Sequence, residues 1–104
     1  MKQDSELKSR IRDILKIVQQ VSPGNSVELR IPPHSAIQCV SGSVHRRGTP
    51  PNVVEMSAQT LIKIIENPNL WEQLCLIGMI SASGTNANLK DLFTQVSTLD
   101  SSSK

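Results

Sequence analysis

His45, Arg46 and Arg47, set just ahead of Gly48-Thr49-Pro50-Pro51-Asn52-Val53-Val54-Glu55, are the side chains of this 104-residue sequence best suited by type and spacing to recognise an anion. A guanidinium presents planar, paired donors to a carboxylate or phosphate. The segment reads as a shaped loop, because Pro50 and Pro51 fix their own φ and push Thr49 and Pro50 toward extended geometry. Such a loop delivers Val53 into a strand in one orientation and holds the two arginines on a stiff base. His45, Arg46 and Arg47 are therefore candidate anion or head-group contacts. The plain alternative is a solvated loop, or an arginine paired locally with Glu55, since exposed arginines commonly add nothing measurable.

Reaction chemistry is not spelled out elsewhere. His34, Cys39, His45 and Cys75 include no CxxC, HxxxH or HExxH spacing, so no metal site is expected. Cys39 and His45 lie six residues apart with Cys39 in a predicted strand, a poor basis for a thiol dyad. Gly42 and Gly48 form neither a GxGxxG nor a Walker fingerprint. Both cysteines sit among apolar residues and read as small buried hydrophobes. The expectation is a protein that is not an enzyme, with no catalytic residues and no cofactor.

Composition narrows the partners. Eleven basic and nine acidic residues are spread along the chain for a net charge of +2, without the concentrated basic face that phosphate backbones require. Aromatics amount to Trp71 and Phe93, so few bases could stack, and no nucleic-acid partner is expected. Met1-Lys2-Gln3-Asp4-Ser5-Glu6 leads into no apolar h-region, and no segment approaches the length of a membrane span. A cytoplasmic location is expected on those grounds. The length suits one domain with its own core.

Periodicity supplies the elements. Asp4 or Ser5 can cap a helix over 4–21, with Leu7, Ile11, Ile14, Leu15, Val18 and Val21 on one stripe and Lys8, Arg10, Arg12, Asp13 and Lys16 over much of the rest. Ser22-Pro23-Gly24-Asn25 ends it. Val27, Leu29 and Ile31 alternate with Glu28 and Arg30, a strand that pairs antiparallel with a second at about 36–40 through Pro32-Pro33-His34-Ser35. A third strand covers Asn52 to Met56. Ser57 caps a helix through Glu66, with Met56 and Leu61 as its hydrophobic staple. Asn69 and Glu72 offer a capping-box start to a short helix with Leu70, Trp71, Leu74 and Cys75, which Gly78 ends. Met79 to Gly84 is a fourth strand whose small residues allow something to approach closely. A last helix spans about 86–96, carrying Leu89, Leu92, Phe93 and Val96, and 97–104 reads as a flexible polar tail outside the 1–96 domain. Early strands with helices inserted before the last strand give an α+β fold, an antiparallel-rich sheet covered on one face by helices.

Val27-Glu28-Leu29-Arg30-Ile31-Pro32-Pro33, Ala36-Ile37-Gln38-Cys39-Val40, Arg47-Gly48-Thr49-Pro50-Pro51-Asn52-Val53-Val54-Glu55 and Ile80-Ser81-Ala82-Ser83-Gly84-Thr85 together resemble bacterial sterol-carrier-protein-like domains over about 26–93. The resemblance implies a twisted, mainly antiparallel four- to five-stranded sheet with helices on one face, and an apolar tunnel for fatty acyl chains or sterols between the layers. Where the family has a third strand, this chain has the short segment from Gly42 to Pro51. Carried onto this sequence, the tunnel-lining candidates are Leu61, Ile65, Trp71, Leu74, Met79, Leu89 and Phe93. The resemblance thus implies a non-catalytic lipid-binding or lipid-carrier module whose partner is a fatty acid or other apolar small molecule. The alternative is a protein-interaction or accessory domain of the same fold with a filled pocket and a protein partner. Periodicity leaves the oligomeric state and the role of the first helix open.

Overall fold

The computed structural model describes the backbone of residues 2–42 and 50–102 and the side chains of 5–42 and 50–100. The first helix, α1 (Lys2–Val21), starts two residues before the expected 4–21, so Asp4 and Ser5 lie within its first turns. Its apolar stripe faces inward as the spacing demands: Ile11, Ile14, Leu15 and Val18 are buried, and Leu7 and Val21 pack at the margin. Val40 returns beside its end, donating its backbone N–H to Ser22 O at 2.8 Å.

Three strands follow: β1 (Val27–Ile31), β2 (Ser35–Cys39) and β3 (Asn52–Met56). With β4 (Ile80–Ser83) they form a mixed sheet in the order β2-β1-β3-β4. β1 pairs antiparallel with β2, with Leu29 opposite Ile37, and β3 pairs antiparallel with β4, with Val54 opposite Ala82. The central pair, β1 with β3, is parallel. Alternation sets which face is wet. Val27, Leu29, Ile31 and Val54 have no exposed surface, whereas the Arg30 guanidinium bonds Glu28 and lies 3.9 Å from Glu55 on the outer face. Helices cover the other face, giving the expected α+β architecture with four strands among the described residues.

The second helix, α2 (Ala58–Glu66), is capped as its sequence specifies: Ser57 is extended, and its hydroxyl accepts the Thr60 N–H at 3.1 Å. The next start differs from expectation. Asn67, not Asn69, caps the 3-10 turn Pro68–Leu70, its side-chain oxygen accepting the Asn69 N–H at 3.2 Å. α3 (Trp71–Leu76) continues from that turn with no side-chain cap, and Glu72 instead takes the Lys90 ammonium at 2.9 Å. At its end Met79 N–H bonds Leu74 O and Gly78 N–H bonds Cys75 O, a Schellman closure that requires the positive φ of +83° found at Gly78.

The final helix, α4 (Lys90–Ser102), begins four residues later and ends six residues later than the 86–96 expected from periodicity. Ahead of its start the Asn86 N–H bonds Asn52 Oδ1 at 2.9 Å, and Asn88 Oδ1 accepts the Lys90 N–H. Its end is extended through residues that read as tail. Asp100 follows Phe93 and Val96 on the buried face and receives both terminal nitrogens of Arg10 from α1, at 2.6 and 2.9 Å. That fork raises the Arg10 pKa, through its hydrogen bonds to Asp100 first, and ties the two helices together.

Candidate functional site

The apolar residues carried over from the family resemblance come from three helices and converge on one core. Leu61 and Ile65 from α2, Trp71 and Leu74 from α3, Leu89 just before α4 and Phe93 within it all belong to a single buried cluster, while Met79 is 46% exposed at the turn before β4. The Trp71 and Phe93 rings meet with centroids 6.0 Å apart at 36°. Leu61 and Phe93 have 0% accessible surface, so neither borders a space that water could enter. A greasy guest reaching these two side chains must push them aside.

Beside this interior the apolar surface continues outward. Leu76 (87% exposed), Ile77 (61%) and Met79 form an oily tip where α3 turns into β4, next in sequence to buried Leu74. Helical and strand periodicity do not single out Leu76 and Ile77. The available signal is the unbroken run Leu74-Cys75-Leu76-Ile77, too long for one face of a six-residue helix to bury.

A cleft lies at the start of α4. It measures about 550 Å3, with Val21, Val40, Leu89 and Leu92 as its apolar lining and Asn86 and Gln95 among its polar residues. Nearby, buried Asn52 acts as a pin: its Nδ2 donates to Ser26 O at 2.9 Å and its Oδ1 accepts from Asn86. This joins the starts of β1 and β3 to the chain leaving β4. His45, Arg46 and Arg47 lie outside the described residues.

The thiols are placed for packing. Desolvation pushes the Cys39 thiol up to about 11, and burial, assisted by Glu72, also raises Cys75. Because burial disfavours the charged thiolate, at pH 8 only about one Cys39 in a thousand is in the reactive form. A disulfide-exchange reagent at pH 8 is therefore expected to label Cys75 slowly and Cys39 only after denaturation, with native Cys39 reactivity appearing as pH climbs toward 11. Labelling of native Cys39 at the rate of a free thiol would contradict this placement. Among the described residues no group of three or more His, Cys, Asp or Glu side chains is arranged to hold a metal, and no helix is long and apolar enough to cross a membrane.

An open mixed sheet with helices on one face, a core drawn from the helices and the sheet and an oily tip at the α3–β4 turn define a small α+β domain built around an aliphatic interior. Residues 3–94 match the family model described as "Bacterial SCP ortholog", and the chain belongs to this bacterial sterol-carrier-protein-like family. None of the curated proteins matches it.

Proposed function

We propose that this chain is a non-catalytic lipid-binding or carrier module that takes a fatty acyl or sterol-like molecule between its helices and sheet. The guest lies against Ile65, Trp71, Leu74 and Leu89, displaces Leu61 and Phe93, and enters past Met79. The observation that carries this reading is the exposed tip of Leu76, Ile77 and Met79 on the helix-to-strand turn that follows Trp71 and Leu74, in a chain of this family. An apolar tip beside an apolar interior gives a long hydrocarbon a path that never leaves oily surface. About ten buried methylenes, at about 0.8 kcal/mol each, match the roughly 8 kcal/mol of micromolar binding, less the cost of parting the side chains. His45, Arg46 and Arg47 are assigned the carboxylate head group on their side-chain chemistry alone.

Native mass spectrometry of the chain incubated with dodecanoic acid tests this, with emission from Trp71, the sole tryptophan, as a second readout. A one-to-one adduct with a shift in Trp71 emission is expected, and Leu76→Ser with Ile77→Ser should slow loading severalfold while leaving the fold intact. Absence of an adduct at about 100 μM lipid, some hundredfold above a micromolar Kd, together with unchanged emission defeats the carrier reading. That outcome favours an accessory domain with a filled pocket, the reading supported by the zero exposure of Leu61 and Phe93.

A further inference from the structure

We propose that the turn between α3 and β4 docks on a lipid bilayer, so that a guest passes between membrane and interior without crossing water; the choice of lipid as the cover for this turn rests on the carrier reading. Leu76, Ile77 and Met79 are 87%, 61% and 46% exposed and share the turn with Gly78. A side-chain carbon on Gly78 would meet no atom within 4 Å, so the turn stands clear of the body of the domain. A protein partner would need a pocket shaped to this convex tip, and interfaces of that kind centre on aromatic or arginine anchors, which the tip lacks. A fluid bilayer closes around any shape.

Charge is absent around the tip. From Gln73 to Leu89 no side chain is charged, although 19% of the chain is. The strand that follows the turn adds only Ser81, Ala82 and Ser83 to the exposed surface. The two charges that bound this run, Glu72 and Lys90, neutralise each other at 2.9 Å, and Glu55, opposite Ser81 in the sheet, lies 3.9 Å from Arg30. The tip therefore approaches hydrocarbon without stripping water from a bare charge. Its backbone donors are satisfied as well: the N–H groups of Ile77, Gly78 and Met79 bond Gln73 O, Cys75 O and Leu74 O at 3.0, 3.2 and 2.9 Å. An unpaired N–H is costly away from water, and these three residues carry none into the lipid. Three aliphatic side chains offer apolar surface comparable with one short acyl chain, an anchor that holds reversibly, as a carrier requires.

The test is flotation of the intact chain with vesicles of phosphatidylcholine, a lipid without net charge. Half-retention is expected on the order of 1 mM lipid, weaker than a single myristoyl anchor, and it should change little between about 0.1 and 0.5 M salt because the tip is neutral. Leu76→Ser with Ile77→Ser should weaken retention about thirtyfold or more, and Leu99→Ser, which removes a 48% exposed leucine from α4, less than about twofold. Should the double variant fail to fold, Leu76→Ser alone, at the most exposed of the three positions, decides with an expected loss of about fivefold. Retention that the tip variant keeps, retention that requires an anionic lipid and vanishes in salt, or no retention at about 10 mM lipid overturns the proposal. So does a dimer seen by sedimentation that the tip variant abolishes while vesicles retain nothing, which assigns the tip to a second copy of the chain. A dodecanoic acid adduct without vesicle retention leaves the carrier reading and defeats docking; retention lost in the tip variant, without an adduct, leaves docking and defeats the carrier.

Discussion

Phe93→Ala is expected to lower the free energy of unfolding by about 4 kcal/mol, the middle of the range for truncating a buried phenylalanine. Phe93 has no exposed surface, sits on α4 and meets Trp71 of the neighbouring α3 at a ring-centroid distance of 6.0 Å. Its loss removes the transfer free energy of the ring, opens a cavity and takes away the aromatic contact, a pair of a kind worth about 0.5–1.5 kcal/mol beyond burial. For a domain near this size each kcal/mol shifts the midpoint by about 4–8 °C, so thermal melting should fall by roughly 15–30 °C. The same change probes function. A cavity beside Trp71 is space that a lipid need not open for itself, so Phe93→Ala should bind dodecanoic acid more tightly than the parent chain, and the lipid should restore part of the lost stability by mass action. If instead the variant loses less than about 1 kcal/mol, the ring is not the packed element that its burial indicates.

Local elements were legible because their causes are local. The α1 stripe at Ile11, Ile14 and Val18, the β1 alternation at Val27, Leu29 and Ile31, and the Ser57 cap are written in spacings of two to four residues, and each folds as its pattern dictates. The chain at both ends of α4 is held by long-range partners. Asn86 is held by Asn52 thirty-four positions away, and Asp100 is clasped by Arg10 ninety positions away, partners that no window on the sequence brings together. The same limit applies to the site. The family resemblance carried Leu61, Ile65, Trp71, Leu74, Met79, Leu89 and Phe93 onto this chain as tunnel lining, and all but Met79 join one buried cluster, yet a residue packed against its neighbours and a residue lining a channel have the same chemistry and differ only in the geometry around them.

Gly84→Ala should cost about 3 kcal/mol, a large effect for one added methyl group, and the reason lies in Asn52. The small residues of Ile80-Ser81-Ala82-Ser83-Gly84 predicted a close approach, and the approaching group is this buried amide. A Cβ on Gly84 would lie 2.1 Å from Asn52 Oδ1, 2.8 Å from its Cγ and 2.9 Å from its Cα, all closer than van der Waals radii allow. The φ of +114° at Gly84 adds backbone strain of about 1–3 kcal/mol for any residue with a side chain. Asn52 cannot swing aside without releasing both Ser26 O and the Asn86 N–H, which would leave polar groups unpaired near the core. The two contributions separate in a double-mutant cycle with Asn52→Ala. Removing the amide relieves the side-chain clash but neither the φ penalty nor the crowding against the Asn52 backbone, so Gly84→Ala should be about 1–2 kcal/mol less costly in that background, a coupling in the range seen for touching residues. Equal costs in both backgrounds, measured by urea unfolding with unchanged m-values, would show that the amide plays no part and that backbone strain and crowding against the Asn52 backbone make glycine necessary at this turn.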